Sequence, residues 1–136
     1  MDPASHDVYF DVPGVASVRW IEEGQLVLVE WQGWANSREF AELLEAEITA
    51  LKNHHGSRLL ADCRRQKVLN PADQDRANKA WLPRALAAGL KRFAVVLPSS
   101  VLAEVNLKAS LAQVPATALD VAYFATAEQA RGWLGR

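Results

Sequence analysis

Three short apolar runs each follow a segment whose apolar residues have helical spacing, and this alternation constrains the fold more than any other feature of the sequence. The runs cover residues 58–63, 92–97 and 119–124. They are too short for helices and are rich in apolar residues, which is typical of buried strands. Strands that alternate with helices pair in parallel, and the helices cover the sheet. The sequence therefore predicts an α/β domain with a mostly parallel sheet.

Two further β-rich runs, residues 15–21 and 25–31, precede the first helix. The acidic turn between them ends in Gly24, which can adopt a positive φ, so we expect an antiparallel hairpin at one side of the sheet. The predicted order is β-β-α-β-α-β-α-β-α in one domain over residues 15–136. Residues 1–14 are expected to form a partly disordered tail, within which residues 8–10 are a candidate for one more extended piece.

Capping residues predict where two of the helices begin. Asn36 with Glu39 reads as a capping box, and Asn70 followed by proline reads as a second helix start. We expect Gly56 to supply the left-handed residue that ends the first helix, and the acidic residues of that helix to form a solvated face. Pro83 predicts a kink or break of the second helix near residues 81–82.

Composition and charge exclude several classes of protein. The chain has 136 residues, 50% of them hydrophobic and 23% charged, with a net charge of −1, which is typical of one soluble domain and favours neither nucleic acid nor membrane as a partner. No apolar stretch is long enough to span a bilayer, and the acidic N-terminus is unlike a signal peptide, so we expect a cytoplasmic protein. The single cysteine and the lack of a Cys/His cluster predict no disulfide, no metal and no cofactor.

The charge is unevenly distributed along the chain. Residues 1–57 contain ten acidic and three basic side chains, whereas residues 58–92 contain nine basic and three acidic ones. An anion would therefore bind in the middle third of the chain. The alternative is that the two surfaces pair within the monomer or across a dimer.

Several motifs occur in an order that resembles a known bacterial family. They are Glu30-Trp31-Gln32-Gly33, Glu39-Phe40, Leu60-Ala61-Asp62, Asn70-Pro71, Trp81-Leu82-Pro83-Arg84, residues 89–95 and Trp133-Leu134. Together they resemble the STAS/SEC14-like proteins, also described as SpoIIAA-like. The resemblance implies a small α/β sheet with a βα superhelix, a bacterial cytoplasmic origin and no established reaction.

The resemblance also limits the function that can be carried over. Anti-sigma antagonists of this fold have a phosphorylatable serine in the turn after the third strand, but residues 62–71 contain no serine. The phosphoserine switch is therefore not implied for this chain. Lipid binding, which the SEC14 part of the family description suggests, would need more volume than a chain of this length can spare from its own core.

The end of the strand at residues 58–63 is the best candidate for a ligand site, because ligands of open α/β sheets collect outside the carboxyl ends of the strands. The candidate ligand-binding residues are Asp62, Cys63, Arg64, Arg65, Lys67 and Asn70. The basic side chains and the free N–H groups of the helix start could hold a phosphate or carboxylate. The alternative is structural: the carboxylate accepts loop N–H bonds, the thiol packs as a small apolar group, and the arginines are solvated.

A partner surface is the second candidate. Trp34 lies in a loop, where it caps the core or anchors a partner, and the helix around Trp81 and Arg84 is a further candidate surface. Since no complete catalytic set is present, we expect a non-enzymatic protein-interaction or regulatory module, with a homodimer or another protein as partner. The alternative is a binder of a small anion or nucleotide, and an enzyme is the third hypothesis.

Overall fold

The computed structural model describes residues 7–112 and 118–135. The elements form one sheet of six strands with four helices. In chain order they are β1 (Val8–Val12), β2 (Ala16–Ile21), β3 (Leu26–Trp31), α1 (Ser37–His54), β4 (Arg58–Asp62), α2 (Pro71–Ala87), β5 (Arg92–Val96), α3 (Val101–Leu111), β6 (Asp120–Phe124) and α4 (Ala127–Leu134).

The strands lie in the sheet in the order in which they occur in the chain. β1, β2 and β3 pair antiparallel, and β3 to β6 pair parallel. Leu59 is opposite Phe93 and Ala61 is opposite Val95, so β4 and β5 run side by side in the same direction. The predicted mostly parallel sheet with an antiparallel hairpin at one side is thus confirmed.

The structure has one strand more than the five-strand order predicted. β1 pairs with β2, and the backbone N–H of Trp20 donates to the carbonyl of Asp7 at 2.8 Å. Phe10 anchors the strand because its side chain is buried in the main core. The second half of the expected tail is therefore part of the sheet, while residues 1–6 lie outside the described residues.

Helices cover the sheet on both faces. The main core lies between one face and α1, α2 and α3, and includes inward-pointing residues of the parallel strands such as Val29, Leu59 and Val95. The alternate residues of the strands, such as Leu60 and Ala94, face α4 on the other side. Because successive residues of a strand point to opposite faces, both faces of β4 are buried, which explains its almost continuous apolar sequence.

The capping box of α1 is confirmed: Asn36 Oδ1 accepts from the N–H of Glu39, and Glu39 Oε1 accepts from the N–H of Asn36. The expected role of Gly56 is wrong, because His55, at φ 51°, is the left-handed residue that ends the helix. Gly56 has a different role. A Cβ at this position would lie 2.8 Å from the ring of Trp20, so the glycine permits close packing of the indole.

α2 continues through Pro83, so the break that the sequence allowed as an alternative to a kink does not occur. Trp81 and Ala85, on either side of the proline, are both buried in the main core. Their packing holds both turns in one helix, while the proline ring lies on the exposed side. Within the described residues, no helix combines the length and the apolar character needed to cross a bilayer.

Candidate functional site

A polar cavity lies at the carboxyl ends of β3 and β4, where the sequence predicts the ligand site. It has a volume of about 320 Å³, and its lining comprises Glu30, Trp31, Gln32, Asp62, Arg64, Arg65 and Ser99. We call it the rim cavity. It contains three of the six predicted ligand-binding residues, Asp62, Arg64 and Arg65.

Arg64 is already paired within the rim cavity. Its Nε and Nη2 atoms donate to the two carboxylate oxygens of Asp62 at 2.9 and 2.6 Å, and its backbone N–H donates to the same carboxylate at 3.2 Å. Burial raises the pKa of Asp62, but the hydrogen bonds from Arg64 outweigh it and hold the pKa below its ordinary value. The pair is therefore ionised at neutral pH, and much of the Arg64 charge is neutralised from inside the protein.

The other three predicted ligand-binding residues do not line the rim cavity. Lys67 is exposed, and its backbone N–H donates to the carbonyl of Gly33. Asn70 caps α2, because its Oδ1 accepts from the N–H groups of Ala72 and Asp73. The helix start faces α1, where Ser37 Oγ donates to the carboxylate of Asp73. The predicted combination of basic side chains with this helix terminus is therefore not assembled.

Cys63 points away from the rim and into the protein. It is 1% exposed, and its side chain lines an internal cavity beneath the helices. Burial, with further contributions from Asp62 and Glu47, raises the pKa of the thiol well above its ordinary value. Because the thiolate is the nucleophilic form, this environment opposes nucleophilic chemistry at Cys63.

The three residues of the predicted partner surface, Trp34, Trp81 and Arg84, differ in burial and in contacts. Trp34 is 52% exposed, so it does not cap the core. Trp81 is 5% exposed and therefore cannot belong to a contact surface, because its indole packs against Phe93 in the core. Arg84 is exposed, but its guanidinium forms a two-atom pair with the carboxylate of Glu45 on α1.

The internal cavity lies between the main-core face of the sheet and helices α1, α2 and α3, and it is partly open to solvent. The volume that the centres of water molecules can occupy in it is about 60 Å³. This is room for about four to six waters. Most of its lining is apolar and comes from all three helices and from β3, β4 and β5. The residues are Val29, Trp31, Phe40, Leu43, Leu44, Glu47, Ala61, Cys63, Gln66, Gln74, Asn78, Trp81, Phe93, Val95, Leu107 and Leu111.

Buried polar side chains distinguish this cavity from an ordinary packing defect. Glu47, Gln66 and Gln74 are only 4%, 7% and 3% exposed. Gln74 Oε1 and Trp81 Nε1 are buried and have no hydrogen-bond partner among the described residues. An unpaired buried donor or acceptor costs about 1–3 kcal/mol, so a lining of this kind is expected where another molecule completes the bonds.

Glu47 is the one carboxyl group in the lining. Burial raises its pKa to about 8, and no described residue donates a hydrogen bond to it. The expectation that the acids of α1 form a solvated face is therefore wrong at Glu47, which is 4% exposed. The signal was present: Glu47 lies four residues after Leu43 and four before Leu51, within the apolar stripe of the helix.

Neither cavity is built to hold a metal ion. Nowhere in residues 7–112 and 118–135 do three His, Cys, Asp or Glu side chains lie close enough together to coordinate one. His54 is instead held by its neighbours, because it stacks on Trp20 at 4.4 Å and its Nε2 lies 2.7 Å from the hydroxyl of Tyr9.

Comparisons with known proteins agree on the fold. A search of curated proteins finds no match. Among solved structures, this chain is similar to an uncharacterised protein of the DUF3478 family with a SpoIIAA-like fold from Shewanella loihica PV-4. The TM-score is 0.56 and the identity 15%, with 92% of this chain and 97% of that chain covered. The family model described as SpoIIAA-like matches residues 26–135, so the chain belongs to the SpoIIAA-like family.

Proposed function

We propose that this protein is a non-catalytic regulatory module that binds a small molecule in its internal cavity. One observation carries the proposal: Gln74 Oε1 and Trp81 Nε1 are buried at this cavity without partners. A ligand with one polar end and an apolar body would complete these bonds and fill the apolar part of the space. The ligand site is thus placed inside the main core rather than at the rim.

The chemistry of the cavity supports binding rather than catalysis. A cysteine nucleophile needs a base within hydrogen-bond reach, and no described residue forms a hydrogen bond with the Cys63 thiol. Its raised pKa keeps the thiol protonated at neutral pH. The cavity also holds only a few non-hydrogen atoms, which leaves little room for a second reactant.

α3 gives the cavity a connection to the protein surface. Its inner residues Leu107 and Leu111 line the cavity. Its outer face carries Val101, Leu102 and Val105, which are 75%, 68% and 60% exposed. These three side chains lie on one side of the helix, since residues three and four apart are neighbours. A ligand that displaces the inner residues would therefore move an apolar surface on the outside.

This outer face of α3 favours a second candidate function, association with another copy of the chain. Apolar side chains grouped on one face are typical of contact surfaces. Light scattering at increasing protein concentration measures the assembly directly. We expect a dimer that the Val105→Lys substitution dissociates, whereas a monomer at high micromolar concentration would contradict the association.

Binding of a small anion or nucleotide at the rim cavity has weaker support. Arg64 is paired with Asp62, and Glu30 adds a second carboxylate to the lining. Glu30 is in turn paired with Arg19, so both carboxylates are neutralised by arginines, and an anion would depend on Arg65 among the described residues of the lining. If the anion binds, inorganic phosphate shifts the Arg65 amide resonance and Arg65→Gln abolishes the effect.

Titration with a small amphipathic probe tests the internal site. We expect 1-butanol to shift the methyl resonances of Leu107 and Val95 saturably, because these residues line the cavity. Ala61→Val adds two methyl groups inside the cavity and should abolish the shifts. Ala122→Val is the matched control, since it makes the same change in the same sheet on the face toward α4. Shifts that persist in Ala61→Val would contradict the proposal, as would a parent protein in which neither 1-butanol nor any other probe of similar size gives saturable shifts.

A further inference from the structure

The charge of the cavity lining restricts the ligand it can accept. Glu47 and Cys63 are the titratable groups among the described residues of the lining, and these residues include no lysine, arginine or histidine. An anionic ligand would therefore enter a low-dielectric space without a counter-charge and beside a carboxyl group, which is strongly unfavourable. A cationic ligand has a carboxylate available as its partner.

Aromatic rings add to this preference. Four of the lining residues are Trp31, Phe40, Trp81 and Phe93. Trp31 and Phe40 have ring centroids 6.1 Å apart, and Trp81 and Phe93 have centroids 6.2 Å apart. The faces of aromatic rings carry partial negative charge and attract organic cations. Rings together with a buried carboxyl group are a favourable environment for an ammonium group.

The unpaired acceptor supplies a direct contact for such a group. Gln74 Oε1 is buried at the cavity and accepts no hydrogen bond from a described residue. An ammonium N–H can donate to this oxygen while the charge interacts with Glu47. Trp81 Nε1 is a buried donor without a partner among the described residues, and an oxygen atom of a ligand or of a water molecule in the cavity can accept from it.

Resting on the ligand-binding function above, we propose that the ligand of the internal cavity is a small alkylammonium cation, paired with Glu47 and hydrogen-bonded to Gln74. The size of the cavity favours a molecule of about five non-hydrogen atoms, such as a four-carbon primary amine.

Binding of a cation is coupled to release of a proton. In the empty cavity at neutral pH, Glu47 is mostly protonated because burial raises its pKa to about 8. When the ammonium ion enters, the carboxyl O–H gives its proton to solvent and the ligand keeps its own. Cys63, the other titratable group of the lining, stays protonated throughout because its pKa is raised. The affinity for the cation therefore rises about 50-fold between pH 6 and pH 8.

Three probes of similar size and different charge test the ligand class. They are n-butylammonium, 1-butanol and butyrate, titrated separately at pH 6 and pH 8 while the methyl resonances of the cavity are followed. We expect n-butylammonium to bind at least 10-fold more tightly than the other two at pH 8, and its advantage to shrink at pH 6. Tighter binding of 1-butanol or butyrate would overturn the cation proposal and leave the ligand-binding function intact. If none of the three binds, the cavity holds only water and both proposals fail.

Substitution of Glu47 tests whether its carboxyl group causes the preference for a cationic ligand. Glu47→Gln keeps the side-chain shape and removes the charge, so n-butylammonium should lose at least about 30-fold in affinity while 1-butanol binds as before. Glu42→Gln is the matched control, because Glu42 is an exposed carboxylate on the same helix. Equal loss of both probes in Glu47→Gln, or loss of n-butylammonium in Glu42→Gln, would overturn the role of Glu47.

Discussion

Replacing Glu47 by glutamine should make the protein more stable above neutral pH. The carboxyl group has an ordinary pKa of 4.5 and a pKa of about 8 in the folded protein, because burial disfavours its charged form. A group whose folded pKa is raised binds more protons when folded, so the stability it confers at low pH is lost as the pH rises. The full difference corresponds to about 5 kcal/mol, most of which is lost between pH 5 and pH 8.

The amide cannot ionise, so Glu47→Gln should escape this loss. Urea unfolding of both proteins at pH 5, 6, 7 and 8 gives the free energy of unfolding at each pH. All other ionisable groups are common to both proteins, so their contributions cancel in the difference. We expect the variant to gain about 3–4 kcal/mol relative to the parent from pH 5 to pH 8, while Glu42→Gln stays parallel to the parent. A difference between parent and Glu47→Gln that does not change with pH would refute the reasoning.

Three further substitutions test the packing and capping of the fold by the free energy of unfolding. Gly56→Ala should lower the free energy of unfolding by about 1–3 kcal/mol, because the new Cβ would lie 2.8 Å from the Trp20 ring. Gly132→Ala is the control: its Cβ would meet nothing within 4 Å, so the free energy of unfolding should rise by up to about 1 kcal/mol from helix propensity. Equal effects of the two substitutions would contradict the close packing at Gly56. Asn36→Ala removes the cap of α1 and should cost about 1 kcal/mol, and no loss would show that the observed bonds contribute nothing. Trp34→Ala should change stability by less than about 0.5 kcal/mol, because the side chain is 52% exposed, and a larger loss would mean that Trp34 does support the core.

Local sequence signals were sufficient to predict most of the fold. These signals depend on residues that lie close together in the sequence. They are the apolar stripe of α1, its capping box and the apolar run of β4. β1 was predicted only as a candidate extended piece at residues 8–10, because its pattern is short and its stability comes from pairing with β2 and from burial of Phe10. The unbroken α2 has a similar cause, since tertiary packing of Trp81 overrides the local effect of Pro83.

The candidate site was harder to predict than the fold. The topology places Asp62 at the rim and Cys63 below the sheet surface, because consecutive residues at the end of a strand point to opposite sides. Adjacency in the sequence therefore does not make Asp62 and Cys63 parts of one site, as the prediction had assumed. The internal cavity depends on how side chains from three helices and three strands pack together, and no local pattern contains that information. The position of Glu47 within an apolar stripe was the one clue available.

The indole N–H of Trp81 tests the central claim most directly, since it is an unpaired donor at the internal cavity. ¹⁵N–¹H spectra resolve the indole resonances, and Trp81→Phe identifies the relevant one. During titration with n-butylammonium at pH 8, the account predicts a saturable shift of the Trp81 resonance and no shift of the exposed Trp34. A Trp81 resonance that n-butylammonium, 1-butanol and butyrate all leave unmoved would contradict the account.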